Sequence, residues 1–371
     1  MFDKISIPSR LIPSDPRFGC GPSLIPEEHV QRLAAHAKSY LGTSHRKDTV
    51  RNVVREVQEG LRSYFALPKD YAVILGNGGA TMLWDMMALG MVQSSSLHFT
   101  CGEFSEKWFK ANGLVPWIKA EQVSVPYGQG IEAGQKTGFD FICTTLNETS
   151  TGVQNTTAPK IQGDTLLAMD ATSGAGQIIT QIENVDVYYF SPQKVFASDG
   201  GLYVAFLSPK AQARIAQIAG DKARFIPESL KLAHAVENGK GNQTYNTPAL
   251  ATIYLLNEQV KLLNSLGQSK VAALAQAKAE LVYGWAEKKN YLSPFVQNKH
   301  HRSTAVATID VDDKFKVDDL TAMLRKQNVA IDIDGYRKLG RNQLRIALFH
   351  NIKHDDLEKL TQVISHVLEN A

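Results

Sequence analysis

Short, almost continuously apolar runs alternate with segments of helical spacing along the first two thirds of the chain. Val53, Val54, Val57, Leu61 and Phe65 recur on one helix face and predict an amphipathic helix. Tyr71-Ala-Val-Ile-Leu75 is a strand-length run that ends in Gly76-Asn-Gly-Gly79, and helical spacing resumes over 80–87. Further runs cover 96–101, 139–144, 165–169, 186–190 and 202–207. Runs without polar alternation are those of strands covered on both faces. Their alternation with helices predicts a parallel α/β sheet. After about residue 248 the pattern changes to long helices (249–266 and 270–289). A strand at 304–311, a helix near 317–327, a strand near 343–348 and a helix near 355–369 follow. The expected division is a large α/β domain, 1–250, and a smaller α+β domain, 251–371, with the first forty residues able to join either.

A chain of 371 residues has room for two such domains. Lys plus Arg number 40 against 37 Asp plus Glu, a net charge of +3. That balance argues against a nucleic-acid binder, while leaving room for a local anion site. Cys20, Cys101 and Cys143 lack C-x-x-C spacing, so neither a disulfide framework nor a zinc ribbon is indicated, and no metal set stands out. The start, MFDKISIPSR, has no apolar signal region, and no apolar run reaches membrane-spanning length. A cytoplasmic protein without membrane partners is expected.

Ligands of open parallel sheets bind beyond the carboxyl ends of the strands. The residues following the runs are therefore the candidates. Gly76-Asn-Gly-Gly-Ala-Thr81 is a glycine-rich turn opening a helix. Its free N–H groups suit a phosphate, although it is neither a Walker A loop nor G-x-G-x-x-G, and a plain capped turn is the alternative. Asp170, after Leu166-Leu-Ala-Met169, either caps the next turn or holds a proton on a cofactor's ring nitrogen. Lys194, 24 residues on, is either a surface lysine with its stem on the sheet or a desolvated amine reactive toward aldehydes. Phosphate loop, strand-end Asp and strand-end Lys together are the parts a pyridoxal phosphate site needs.

Longer motifs carry a resemblance. Ser44-His-Arg46, Asn147-Glu-Thr-Ser-Thr-Gly152, Ser191-Pro-Gln-Lys194 and Tyr245-Asn-Thr-Pro248, within matching segments from Phe18 to Asn351, resemble the phosphoserine aminotransferases. That family lies in the class V group of fold-type I pyridoxal-phosphate enzymes. Gly335-Tyr-Arg-Lys-Leu-Gly340 is similar to its actinobacterial-type branch. The resemblance implies a mostly parallel seven-stranded sheet between helices. It also implies pyridoxal 5′-phosphate, and a homodimer with shared active sites. Lys194 would be the Schiff-base lysine and proton shuttle, and Asp170 the partner of the ring nitrogen. Thr151 and Phe104 would lie at the ring, and Gln193, Gly79, Ala80 and Thr81 at the cofactor phosphate. Asn246 and Thr247 would reach that phosphate from the other subunit. His45, Arg46 and Arg337 would hold the substrate phosphate and Arg345 the substrate carboxylate.

The implied reaction moves an amino group from L-glutamate to 3-phosphohydroxypyruvate in serine biosynthesis, with a related step of pyridoxine biosynthesis also possible within the family. The alternative is a class V aminotransferase of the serine/alanine–glyoxylate type, which needs no phosphate contacts. His45-Arg46 could instead be a solvated loop, Arg345 an edge-strand ion pair and Asn246-Thr-Pro a turn. Three positions depart from the usual pattern: Phe104 stands for Trp, Tyr336 for His and Ala80 for Arg. Arg341 and Lys338 are candidates to replace the missing phosphate contacts. A desulfurase needs a late cysteine, and the last one here is Cys143.

Overall fold

The computed structural model describes Phe2 and residues 5–371. In chain order its first half runs α1 (Glu27–Tyr40), α2 (Asp48–Tyr64), β1 (Ala72–Asn77), α3 (Gly79–Gly90), β2 (Ser95–Thr100), α4 (Glu103–Gly113), β3 (Lys119–Ser124), β4 (Phe141–Thr145), the two-residue strands β5 (Asn147–Glu148) and β6 (Val153–Gln154), and β7 (Leu166–Asp170). Then come β8 (Val187–Phe190), β9 (Leu202–Leu207), α5 (Pro209–Ala219), α6 (Leu232–Lys240), α7 (Leu250–Leu266), α8 (Gln268–Glu287), β10 (Leu292–Pro294), β11 (Val306–Val311), α9 (Val317–Lys326), β12 (Gln343–Ala347) and α10 (His354–Glu369).

Seven strands form the main sheet in the order β1-β9-β8-β7-β4-β2-β3. β9 runs antiparallel to both neighbours, and the other pairs are parallel. The apolar runs form its buried strands because both faces are covered. Leu167, Met169, Tyr188, Phe190, Val204 and Phe206 point into one apolar layer, toward α2 and α7. Leu166, Ala168, Val187, Tyr189, Tyr203 and Ala205 point into the other, where Trp84, Trp108 and Leu232 come from α3, α4 and α6. The alternation follows from the two-residue period of a strand.

β10, β11 and β12 form a separate antiparallel sheet, and α8 and α10 pack together beside it. α7 lies mainly against α2. Residues 16–18 run alongside this smaller unit: Ile331 N–H donates to Pro16 O, and Ala347 N–H to Phe18 O. Ser14 adds two bonds to the Asp356 carboxylate. The next residues cross to the main sheet, where Ser23 Oγ donates to Lys194 O at 2.7 Å and Ser23 N–H to Gln193 O at 2.8 Å. No described helix is long and apolar enough to cross a membrane.

Candidate active site

Lys194 follows β8, where the chain leaves the sheet. Its side chain is half-buried, and Nζ donates to Cys20 O at 3.0 Å. No carboxylate pairs with it among the described residues. Burial brings its pKa down to about 8, with Arg345 pushing the same way against the opposing influence of Cys20 and Asp170. The backbone at Gly21 makes that position possible. Its φ is +143°, and a Cβ there would lie 1.8 Å from Lys194 Nζ. Only glycine allows both the backbone shape and the approach.

Asp170 ends β7 and is buried. Oδ1 accepts from Thr172 N–H at 2.9 Å and Oδ2 from the Tyr189 hydroxyl at 3.0 Å. Burial raises its pKa, and these donors pull it back. Arg345, in β12, has its Cζ 5.3 Å from the Tyr336 ring centre and no carboxylate partner among the described residues; its Nε is buried and unpaired. Arg337 is exposed beside Tyr336. Phe104, on the first turn of α4, lies 5.6 Å from the Tyr336 ring at 52°.

The glycine turn opens α3, with Gly78 at its start in the left-handed region, φ +108°. Ala80 N–H is not free there. It donates to Ser191 Oγ at 2.7 Å, which ties this turn to the Lys194 segment. Thr81 is exposed on the same turn. Thr151 is buried, and its hydroxyl donates to Cys101 O at 3.3 Å.

A second group gathers in the same chain. Thr247 Oγ1 and His45 Nδ1 are 3.2 Å apart, and His45 Nε2 is buried without a partner among the described residues. Burial, then Arg46, lowers the His45 pKa. Asn77 Nδ2 donates to Asn246 Oδ1 and to Thr247 O, so this group meets the end of β1, two residues before Gly79. Arg46, Asn246 and Thr247 point outward and are exposed.

The two candidate replacement cations are engaged elsewhere. Lys338 pairs with Glu103 at 2.6 Å. Arg341 makes a two-pronged pair with Asp310, 3.0 and 2.6 Å. A cation that the sequence reading passed over, Lys107, shares Glu103 with Lys338, at 3.4 Å; its Nζ also donates to the Tyr336 hydroxyl at 3.2 Å and lies 5.2 Å from the Phe104 ring centre. Its spacing from Phe104, three residues along a helix, was the available signal. Glu148 was also passed over. It is fully buried and accepts from Ser105 N–H and Oγ, Ser150 N–H and Oγ, and Phe104 N–H, so it anchors the start of α4 under Phe104.

The residues fit pyridoxal phosphate chemically. A lowered lysine amine, a buried carboxylate and a glycine turn come together. Gln193 Oε1 and Arg345 Nε are buried polar atoms with no partner among the described residues, each beside one of these groups. Buried polar atoms are rarely left this way unless a ligand or water meets them. The cysteines supply no competing nucleophile, since all three are buried and free.

The sequence pattern of the family Aminotransferase class-V matches residues 114–360. A phosphoserine aminotransferase of Corynebacterium glutamicum (strain R) is 45% identical, over 100% of this chain and 99% of its own. One of Rhodococcus jostii (strain RHA1) is 45% identical over 98% of this chain and 97% of its own. Among solved structures, a phosphoserine aminotransferase of Cytophaga hutchinsonii superposes with a TM-score of 0.87 at 22% identity, covering 95% of this chain and 99% of that one. A phosphoserine aminotransferase from Trichomonas vaginalis with PLP bound gives 0.80 at 20% identity, covering 95% and 99%. The structures share the fold and the sequences share the lineage: the chain belongs to the phosphoserine aminotransferase family of class V aminotransferases.

Proposed function

We propose that this protein transfers an amino group from L-glutamate to 3-phosphohydroxypyruvate, giving 2-oxoglutarate and O-phosphoserine, with pyridoxal 5′-phosphate on Lys194. The observation that carries the reading is the Lys194 amine at a strand end, without a carboxylate partner among the described residues and flanked by Asp170 and Arg345; its lowered pKa supports it. Relatives at 45% identity along the whole chain support the substrate pair.

When bound, pyridoxal phosphate supplies an electron sink next to the amino acid's α-carbon. The protein supplies the rest. With a pKa of about 8, roughly a tenth of Lys194 is neutral at pH 7, far more than at the ordinary 10.5, so Nζ would be able to hold the cofactor and to take and return the substrate's Cα proton. Asp170 would hold a proton on the pyridine nitrogen. Gly79, Ala80, Thr81 and Gln193 would hold the cofactor phosphate, and Phe104 and Thr151 would serve the ring. With its own N–H on Ser191, Ala80 contributes shape more than a bond. Arg345 grips the substrate carboxylate with its planar fork. His45, Arg46 and Arg337 take the substrate phosphate, and Asn246 and Thr247 the cofactor phosphate, in a homodimer where each copy completes the other's site. The exposure of Arg46, Arg337, Asn246 and Thr247 in one copy supports that arrangement. Two half-reactions on one site give ping-pong kinetics.

The test is spectroscopic. Glutamate alone bleaches the visible absorbance of the purified holoenzyme, 3-phosphohydroxypyruvate restores it, and Lys194→Ala removes the cycle. Bleaching that glyoxylate or pyruvate reverses and 3-phosphohydroxypyruvate does not would replace this acceptor. A wild-type protein that never binds the cofactor would end the reading.

A further inference from the structure

The parallel register of β7 and β8 sets Asp170 directly opposite Tyr189. Both residues belong to the sheet face covered by α3 and α4, because Leu166, Ala168 and Asp170 alternate onto it from β7 and Val187 and Tyr189 from β8. Three groups are joined there in sequence. Trp84 Nε1–H, from α3, donates to the Tyr189 oxygen at 2.9 Å. The Tyr189 hydroxyl spends its own proton on Asp170 Oδ2 at 3.0 Å. All three side chains are at least nine-tenths buried, and the Trp108 indole stands edge-on to the Tyr189 ring, 5.4 Å away at 90°.

The direction of this chain is fixed by chemistry. The indole nitrogen is a donor only, so the tyrosine oxygen must accept from it. That leaves the phenol proton for the carboxylate. Trp84 therefore settles which way Tyr189 points, and Tyr189 settles which lone pair of Asp170 stays open. With Oδ1 already on Thr172 N–H, the carboxylate plane is held at two points.

We propose that Tyr189, oriented by Trp84, is a positioning residue that keeps the Asp170 carboxylate ionised and aligned for the pyridine nitrogen of the cofactor. The inference rests on the reading of Asp170 given above and extends it to two residues that no motif of the sequence assigned to cofactor or substrate. Burial works against an ionised Asp170, and the hydrogen bonds offset part of that. A phenol too far buried to ionise suits the donor's task, since it never adds a second negative charge.

Tyr188 provides the control. It is the preceding residue of the same strand, equally buried on the opposite face, and its hydroxyl has no partner among the described residues. The experiment titrates the apo forms of the wild type, Tyr189→Phe and Tyr188→Phe with pyridoxal phosphate. It then records nitrogen NMR of ring-labelled cofactor in each. Tyr189→Phe weakens cofactor binding by about 10-fold, the value of one hydrogen bond to a charged group, and moves the ring-nitrogen signal toward its unprotonated position. Tyr188→Phe changes neither. In an Asp170→Ala background Tyr189→Phe has no further effect on affinity, because the two act as a unit. Trp84→Phe shows the same direction as Tyr189→Phe, more weakly.

Equal behaviour of Tyr189→Phe and Tyr188→Phe, or an undiminished effect of Tyr189→Phe without Asp170, overturns the inference. Failure of the wild type itself to bind the cofactor sinks the reading of the site instead, so the two failures are distinguishable. Thermal unfolding of each apo variant separates lost packing from lost positioning.

Discussion

At Lys194 the pKa makes a kinetic statement. Only the neutral amine attacks an aldehyde, so covalent capture of pyridoxal phosphate by the apo-protein accelerates with pH and is half-maximal near about 8. Stopped-flow absorbance at fixed ionic strength measures this, and a flat profile from pH 6 to 10 would contradict it. The same shift has a stability consequence. The folded apo-protein releases this proton near 8 and the unfolded chain near 10.5. Between those values the unfolded state binds more protons, so this residue's contribution to stability rises with pH across that window. Gly21 is the neighbouring sensitive point. Gly21→Ala forces a methyl group into the space of Nζ. Capture then slows at least 10-fold, while far-ultraviolet circular dichroism stays native. Lys194 and Asp170 could be found in the sequence because charged residues at the ends of apolar strands are conspicuous. Gly21, Glu148 and Tyr189 could not. Their roles come from what folding sets opposite them, across 173, 44 and 19 residues of chain respectively.

Among the elements, α4 depends on one carboxylate. Three of the five donors that converge on Glu148, Phe104 N–H and Ser105 N–H and Oγ, tie β5 to the helix carrying Phe104 and Lys107. Glu148→Gln turns one acceptor oxygen into a donor facing other donors. It costs about 1–3 kcal/mol in urea unfolding and weakens cofactor binding through Phe104. An unchanged midpoint would show that α4 holds its place by packing. α8 has a comparable dependence, since buried Lys278 donates to Phe349 O and His350 O. Lys278→Met leaves two carbonyls without their donor and lowers the melting temperature. The six strands with apolar runs were visible in advance, and their boundaries fall within about two residues of the expected ones. β3 was not. As the edge strand of the main sheet its residues are half-buried or exposed, so Lys119-Ala-Glu-Gln-Val-Ser124 carries no apolar run to detect. α4 escaped notice because its start is set by Glu148, distant in sequence.

For the whole molecule, the proposed sharing of sites between copies has a combinatorial signature. Lys194→Ala disables a site in its own chain, and a Thr247→Ala/His45→Ala double variant disables the site its chain completes. Mixed and re-equilibrated, half of the dimers are hybrids, and each hybrid holds one intact site. About a quarter of wild-type activity returns in the mixture. No recovery would place both groups in the same chain's site. The sequence motifs singled out both groups as candidates. The contact of His45 with Thr247, 202 residues apart, belongs to tertiary structure alone.

The strap of residues 14–23 also dictates the timing of assembly. It is bonded to positions 331, 345, 347 and 356 before it reaches Lys194. During synthesis those partners emerge last, so the carbonyl of Cys20 cannot be delivered to the amine until nearly the whole chain has left the ribosome. Nascent chains arrested before β12 would hold Lys194 and Asp170 on a formed sheet and still fail to retain pyridoxal phosphate. Contacts of this sequence separation also make closure of the strap the slow step of refolding. Recovery of cofactor binding after dilution from denaturant should then lag behind recovery of helical signal.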